Sequence, residues 1–258
     1  MTLVWRPGFQ FDADASTYIE AVEAADTQAL ETGVRYAIND FVIGCKNDGI
    51  WDAIKASCIL AGARTLSGAL VPLVGTAPTN FNFVAGDYDR ETGLVGDGST
   101  KYLDSNRNNN ADPQNNQHLG AFISETGSSS FSRYMSGRSA ATSLGSSIFG
   151  KAGSNSEFYS RFDGSGFVTF DLFSSNTFAG ISRTSSTQFN YRLNGTTDTI
   201  TDGSVTPANV NIHLFRNPDG SGQSDARIAF YSIGESLDLA LLDTRVSDLI
   251  TAIGAAIP

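Results

Sequence analysis

The chain has 258 residues, 40% of them hydrophobic and 17% charged, so it can bury a substantial core. Its formal net charge of -10 argues against nucleic acid as a partner, because binding phosphates requires clustered Lys and Arg. No uncharged apolar run of about 18 residues is present, so we expect no membrane span. The first residues lack a basic stretch followed by an apolar core, and synthesis in a cytoplasm is expected.

The chain opens with an aromatic segment, residues 1–12, in which a short strand is expected at Thr2–Arg6. This arm carries the large side chains of Trp5, Phe9 and Phe11. Two interpretations stay open: an edge strand that covers the following helices, or an arm that docks on a neighbouring subunit. With Trp51, the three aromatic residues of the arm are the candidate subunit-interface residues.

Residues 13–76 are predicted to form a helical region. Apolar side chains at three- and four-residue steps predict one helix at Ala15–Ala25, a second capped by Thr27, and a third from Trp51 to Ala63. The two cysteines, Cys45 and Cys58, are placed in this region. They lack CxxC spacing, which favours reduced, buried thiols over a disulfide or a metal pair.

Residues 77–236 are predicted to form an antiparallel β-sandwich, because short runs of Phe, Tyr, Ile and Val alternate with Gly, Asn, Asp and Ser about every ten residues. The expected strands are Asn80–Val84, Thr100–Ser105, His118–Ser124, Ser132–Ser136, Ser147–Gly150, Glu157–Phe162, Phe167–Leu172, Thr177–Arg183, Gln188–Leu193, Thr197–Thr201, Asn209–Arg216 and Ala226–Ile233. Asn194 and Gly195 predict a tight hairpin turn.

The end of the chain combines a strand with a helix. In the last strand, simple alternation places Ile228, Phe230 and Ser232 on one face. Residues 237–258 have helical periodicity and are predicted to form a C-terminal helix that packs on the preceding parts. The predicted fold class is therefore mainly β, with a small helical region before the sandwich and a helix after it.

Two stretches resemble a known fold. GDGSTKYLD, at Gly96–Asp104, is similar to the early strand of laminin-G-like, concanavalin-A-like jelly rolls, and SDARIAFYSIGESLD is similar to their closing strand. The chain as a whole, including AGARTLSGALVPLVGTAPTNFNFVAGDYDRETGLVGDGSTKYLDSN and ARIAFYSIGESLDLALLD, also resembles a family of bacteriophage virion proteins that serve as tail-fibre or other structural components.

This resemblance implies a non-enzymatic structural protein, displayed on the virion as a tail tip, fibre or baseplate component. It also implies contact with host-surface polysaccharide. A homo-oligomer, with a trimer as the favoured state, is expected to assemble through the aromatic arm and the helices, with other virion proteins as partners. A capsid decoration protein and a carbohydrate-binding module are the alternatives. No cofactor is implied.

A glycan hydrolase is a remote alternative, because glycosidases need two carboxylates across a cleft and no E-x-D-x-E type run occurs. The loop Asp104–Asn116 concentrates oxygen donors but lacks the spacing of a calcium loop, so a plain surface loop is favoured and no metal site is assigned. His118 and His213 are interpreted as hydrogen-bonded sheet residues rather than as bases or ligands.

Glycan-binding candidates are aromatic, amide and guanidinium side chains expected at one loop edge of the sandwich. They are Tyr88, Tyr102, Arg107 and Asn109. Aromatic faces and amide groups suit the apolar faces and the hydroxyls of a sugar. The same residues also fit ordinary turns and loops, and both interpretations remain open.

Overall fold

A computed structural model describes residues 10–138, 145–152, 157–164, 168–172 and 174–258. Fifteen strands and four α-helices lie in these residues. In chain order they are α1 (Ala13–Asp26), α2 (Thr32–Asn47), β1 (Ile54–Ile59), α3 (Leu66–Ala69), β2 (Thr79–Phe81), β3 (Tyr88–Asp89), β4 (Gly93–Val95), β5 (Tyr102–Asn108), β6 (Gln117–Glu125), β7 (Phe131–Ser136), β8 (Ser146–Ala152), β9 (Glu157–Gly164), β10 (Val168–Leu172), β11 (Thr177–Arg183), β12 (Gln188–Leu193), β13 (Thr196–Thr201), β14 (Asn211–Leu214), β15 (Arg227–Gly234) and α4 (Leu239–Ala256).

The strands form two antiparallel sheets. Sheet A has the order β13-β12-β11-β6-β15-β4-β3, and β1 also pairs with β15; sheet B has the order β10-β9-β8-β7-β14-β5-β2. Side chains of both sheets, among them Leu103, Leu119 and Leu214, form the core between them. The fold is an antiparallel jelly-roll sandwich preceded by helices and closed by a C-terminal helix, which confirms the predicted fold class.

A second core lies on the outer face of sheet A, where Phe122, Phe178 and Phe230 pack against the helices. Two glycines that face each other on β6 and β11, Gly120 and Gly180, make room for this contact. A Cβ at Gly180 would lie 3.0 Å from Leu239 Cδ2 of α4, tighter than side chains normally pack. The molecule therefore has three layers: helices, sheet A and sheet B.

The last strand departs from simple alternation. Ile228 faces the core between the sheets, whereas Phe230 faces the helices and packs on Phe41 at a centroid distance of 5.6 Å. The reason is a β-bulge: Ile228 pairs with Ile123 and Phe230 with Phe122, so that Ala229 is an extra residue. The prediction that Ile228 and Phe230 share a face was wrong.

The predicted third helix was also wrong. Only a single 3₁₀ turn forms at Trp51–Ala53, and the next residues, IKASCI, are strand β1 on β15. A short apolar run of this length fits a buried strand as well as a helix, and pairing with the edge of β15 decides between them. Cys58 therefore lies on a strand, not in a helix.

Other local predictions fared better. Each of the twelve expected strands has a counterpart, and Asn194 and Gly195 form the β12–β13 hairpin with φ of 49° and 76°. Cys45 and Cys58 are free and buried, and burial raises the pKa of both thiols to about 12. Thr27 does not cap the second helix; it ends α1 in the left-handed conformation, and α2 starts after Glu31.

Some predictions concern residues outside the described part. The strand Thr2–Arg6 and the side chains of Trp5 and Phe9 belong to residues 1–9 and are not described. Phe11 is described, and its ring packs edge-on against Tyr36 at a centroid distance of 5.4 Å. None of the described helices is long and apolar enough to cross a membrane.

A buried carboxylate ties the helices to the sandwich. Asp26, at the end of α1 and 5% exposed, accepts hydrogen bonds from the backbone N–H groups of Arg64 and Thr65 at 2.6 and 2.9 Å and from the Thr65 hydroxyl at 2.6 Å. These donors follow β1, so the contact fixes where α1 lies on the chain leaving sheet A.

Replacing Asp26 with Ala should lower the free energy of unfolding by about 3 kcal/mol, because it leaves buried donors without an acceptor. Chemical denaturation monitored by circular dichroism measures this change. The matched control is Asp40→Ala on the exposed side of α2, which should stay within about 0.5 kcal/mol of the wild type. Equal stability of the two variants would contradict the assigned role of Asp26.

His118 is fully buried and joins β6 to the end of β15. Its Nδ1 donates to the Glu235 carbonyl oxygen at 2.6 Å, which leaves Nε2 to accept from the Ser232 hydroxyl at 2.7 Å. Burial lowers the pKa of His118 to about 4. The ring is therefore neutral in the folded protein at pH 7.

The free energy of unfolding should fall as the pH decreases from about 6.5 to about 4, by about 3 kcal/mol from this group, because the unfolded chain binds a proton that folded His118 excludes. Denaturation curves at a series of pH values measure this slope. His118→Gln should flatten it between pH 6.5 and 5. An unchanged slope in this variant would show that other groups cause the acid sensitivity.

Candidate functional site

The outer face of sheet B is the sheet surface on which no described helix packs. The described helices contact the outer face of sheet A instead. On β5 the exposure alternates: Leu103 and Ser105 point into the sandwich, and Tyr102, Asp104 and Asn106 point outward. This geometry leaves a polar and aromatic surface on β2, β5 and β14, which we call the sheet B face.

Two aromatic rings stack at the edge of this face. Phe81 on β2 pairs with Tyr102 on β5, and their rings are nearly parallel, with centroids 4.2 Å apart and an interplanar angle of 6°. Phe81 is 36% exposed. It is therefore a large apolar side chain supported from one side by another ring, an arrangement that suits contact with the apolar face of a sugar.

A guanidinium group covers the other side of Tyr102. The Cζ atom of Arg216 lies 3.3 Å from the centroid of the Tyr102 ring. At these two distances Arg216 and Phe81 cannot occupy the same face of the ring, so Tyr102 is held between them. A cation over an aromatic face is attracted by the electrons of the ring. Tyr102 thus positions its neighbours, and its faces are not open to a ligand.

His213 and Asp104 complete the face. The His213 ring lies 5.1 Å from that of Tyr102, its Nε2 lies 3.7 Å from Asp104 Oδ2, and its Nδ1 is buried without a hydrogen-bond partner. Burial lowers the pKa of His213; Asp104 opposes this effect and Arg216 adds to it. Asn211 donates to Asp104 Oδ2 at 3.2 Å. Asp104 and Asn211 therefore offer hydrogen bonds beside the rings, whereas Nδ1 of His213 is buried.

The structure does not bring the four predicted glycan-binding residues together. Tyr88 is on β3 in sheet A, and its hydroxyl donates to the Ala63 carbonyl oxygen at 2.8 Å; burial raises its pKa. Asn109 is 2% exposed and donates to Gly145 O and Asp163 Oδ1, both at 3.0 Å. Since these contacts use both groups inside the protein, neither Tyr88 nor Asn109 presents its polar atoms to a ligand.

Arg107 is partly exposed but already neutralised. Its Nη2 lies 2.5 Å from Asp112 Oδ1 and its Nε 3.1 Å from Asp112 Oδ2. Of the four predicted residues, only Tyr102 belongs to the sheet B face. Sequence reasoning missed Phe81, His213 and Arg216. Knowledge of the strand pairing would have identified Phe81 and His213, because Phe81, Tyr102 and His213 lie on three adjacent strands of an antiparallel sheet.

A second cluster of charged side chains is centred on Arg183 and includes Asp163 and Asp202. Arg183, fully buried, donates to the carbonyl oxygens of Phe162, Ser185, Gln188 and Asp202. Asp163 beside it is also fully buried, so a substrate cannot reach this cluster. No group of three or more His, Cys, Asp and Glu side chains in the described ranges is arranged to hold a metal ion.

Trp51, one of the candidate interface residues, lies on the opposite side of the molecule, near the start of α1. It is half-exposed, Lys46 Nζ lies 5.6 Å from its ring centroid, and it lines a depression of about 250 Å³ with Tyr18 and Leu73. Lys46 also pairs with Asp12 and Asp14 at 2.6 Å. The helical side therefore has its own concave surface, close to where residues 1–9 join the described chain.

Several solved structures resemble this chain weakly in fold. Domain 4 of AbnA, a GH43 extracellular arabinanase from Geobacillus stearothermophilus in complex with arabinotriose, is 13% identical over 69% of this chain and 82% of that one, with a TM-score of 0.42. A GH54 α-L-arabinofuranosidase soaked with a cyclic sulfate inhibitor is 10% identical over 63% and 40%, with a TM-score of 0.43.

The Trypanosoma rangeli sialidase in complex with the inhibitor DANA is 9% identical over 83% of this chain and 38% of that one, with a TM-score of 0.46. The present chain spans well under two thirds of the length of the arabinofuranosidase and the sialidase. No protein-family model and no curated protein matches the chain. Likeness at this level does not extend to ligand or activity.

Proposed function

We propose that this chain is a non-enzymatic carbohydrate-binding structural protein whose ligand lies on the sheet B face. The observation that carries the proposal is the exposed Phe81 ring, backed by Tyr102 and bordered by the polar groups of Asp104 and His213. Helices cover sheet A, so the sheet B face is the broad sheet surface left for a ligand among the described residues.

The face suits an extended sugar chain better than a small enclosed ligand. Sugar rings stack on aromatic side chains through their C–H groups, and Phe81 on the edge strand β2 is accessible for such contact. Beside this ring, Asp104 can accept hydrogen bonds and Asn211 can both donate and accept them. A flat site with few fixed polar groups binds its ligand with low affinity. Low affinity per site is sufficient when many copies of the site bind one polymer at the same time.

Catalysis is not part of the proposal. Hydrolysis of a glycosidic bond needs an acid and a second carboxylate on opposite sides of the sugar. On the sheet B face Asp104 is already engaged by Asn211 and lies beside His213. The arrangement can hold and orient hydroxyl groups without a paired acid.

The place of this function in a phage virion rests on the sequence resemblance. In this proposal the helical layer faces the particle and neighbouring subunits, and the sheet B face points toward host polysaccharide. Trp51 and Phe11 support this orientation, because they lie on the helical side and Trp51 lines a concave surface there. A homotrimer at a tail tip, fibre or baseplate is the favoured assembly, and decoration of the capsid is the alternative.

Replacing Phe81 with Ala should weaken polysaccharide binding about tenfold, because it removes the exposed stacking ring. Affinity electrophoresis and calorimetry against a panel of bacterial and plant polysaccharides measure the effect. Phe131→Ala is the matched control: this residue is on β7 of the same sheet and is 62% exposed, but the variant should bind like the wild type. Absence of binding by the wild-type protein at millimolar sugar concentration would refute the proposed function.

Deleting residues 1–11 should lower the oligomeric state of the purified protein while leaving the sandwich folded. Light scattering measures the mass, and a thermal melt followed by circular dichroism checks the fold. Trp51→Ala should weaken the same association, because it removes a large ring from the depression on the helical side. A trimer that survives both changes, or a monomer in the unmodified protein, would contradict assembly through this side.

A further inference from the structure

We propose that the sheet B face recognises an acidic glycan and that Arg216 binds the carboxylate of its sugar acid. This inference rests on the proposed carbohydrate binding and adds the chemical class of the ligand. Three observations carry it: Arg216 has no acidic partner among the described residues, the Tyr102 ring fixes its position, and the chain has a net charge of -10.

Arg216 differs from three other cationic side chains on or next to sheet B. Arg107 on β5 pairs with Asp112, Lys101 just before β5 pairs with Asp87 at 2.6 Å, and Arg138 just after β7 pairs with Asp219 at 3.7 Å. Arg216 has neither an acidic partner nor a hydrogen bond in the described part of the chain, and its Nε is buried without a partner. The chain has 27 acidic and 17 basic side chains, so an unpaired arginine is not explained by a shortage of carboxylates. Because Arg216 has no acidic partner, its guanidinium can bind an anion from solution.

The Tyr102 ring holds this guanidinium in place. Stacking at 3.3 Å uses one flat face of the group, and its N–H donors lie in the plane, pointing away from the ring. Because Nε is buried, a ligand reaches the two terminal nitrogens. A carboxylate with its two oxygens matches that pair of donors, and such bidentate contacts are the strong form of this interaction. A neutral hydroxyl provides one weaker bond.

His213 contributes to the packing around Tyr102. It is 9% exposed and contacts the same Tyr102 ring, and its Nδ1 is buried, so this atom is out of reach of a ligand. Phe81, Tyr102 and Arg216 are in consecutive contact, with Phe81 and Arg216 on opposite faces of the Tyr102 ring. An oligosaccharide can therefore place one sugar on Phe81 and the carboxylate of a further sugar acid at Arg216.

The overall charge narrows the class further. A net charge of -10 repels a polyanion more strongly the more charges it carries per sugar, whereas the unpaired guanidinium attracts one carboxylate at short range. We therefore expect glycans with carboxylated sugars to bind better than heavily sulfated polymers. Phosphate or sulfate groups also fit a guanidinium, so the test includes a sulfated polymer as a separate arm.

The test compares polygalacturonate oligosaccharides with the same oligosaccharides as methyl esters, which remove the charge and keep the sugar. Calorimetry with the full chain should show at least a tenfold preference for the free acid. Arg216→Gln should abolish this preference, and binding of the methyl ester should stay near the wild-type level. The control Arg107→Gln removes one positive charge from the same sheet and should keep the preference.

The outcomes separate this inference from the proposed function. If the acid and the ester bind equally, or if Arg216→Gln keeps the preference, the carboxylate assignment is wrong although carbohydrate binding stands. If heparin binds more tightly than polygalacturonate, the site is selective for sulfate and the inference is also wrong. If neither form binds and no other polysaccharide does, the proposed function fails. A thermal melt of each variant shows that the lost preference is not caused by unfolding.

Discussion

The packing of the helices on the outer face of sheet A determines how the rest of the molecule can be used. Phe122, Phe178 and Phe230 project from three neighbouring strands into one apolar core with α2 and α4. Burying three large aromatic side chains contributes several kcal/mol, so this layer is integral to the fold. The sandwich consequently has one sheet face that is closed by protein and one, the sheet B face, that is not closed by a helix.

Strand β15 contributes side chains both to the core between the sheets and to the core under the helices. Its β-bulge determines which side chains enter each core. On one side β15 pairs with β6, and on the other it pairs first with β4 and then with β1. The extra residue Ala229 shifts the alternation, so that Ile228 and Tyr231 enter the core between the sheets and Phe230 enters the helical core. A regular strand would send Phe230 to the same side as Ile228, and the helices would lose a central contact.

The sequence predicted the architecture well, but it did not predict which side chains lie together on the sheet B face, and the reasons are physical. Strands such as Thr177–Arg183 are bounded by local turn chemistry, and local signals suffice to place them. Strand β1 was mistaken for a helix because its only distinguishing feature is a partner almost 180 residues away along the chain. The β-bulge at Ala229 also depends on pairing between distant segments. Tyr102 was identified from its strand, but Phe81 and Arg216 become its neighbours only through sheet pairing and side-chain stacking.

Stacking also explains why a surface arginine remains unpaired in an acidic protein. An unrestrained guanidinium would form an ion pair with a nearby carboxylate, because a surface ion pair stabilises a protein by up to about 1 kcal/mol. The Tyr102 ring competes with such partners by holding the guanidinium flat at 3.3 Å. The Phe81 ring, stacked on the opposite face of Tyr102 at 4.2 Å, holds the Tyr102 ring in position. The aromatic pair thus preserves a donor that the local charge balance would otherwise neutralise. Preorganisation of this kind reduces the entropy lost when an anionic ligand binds.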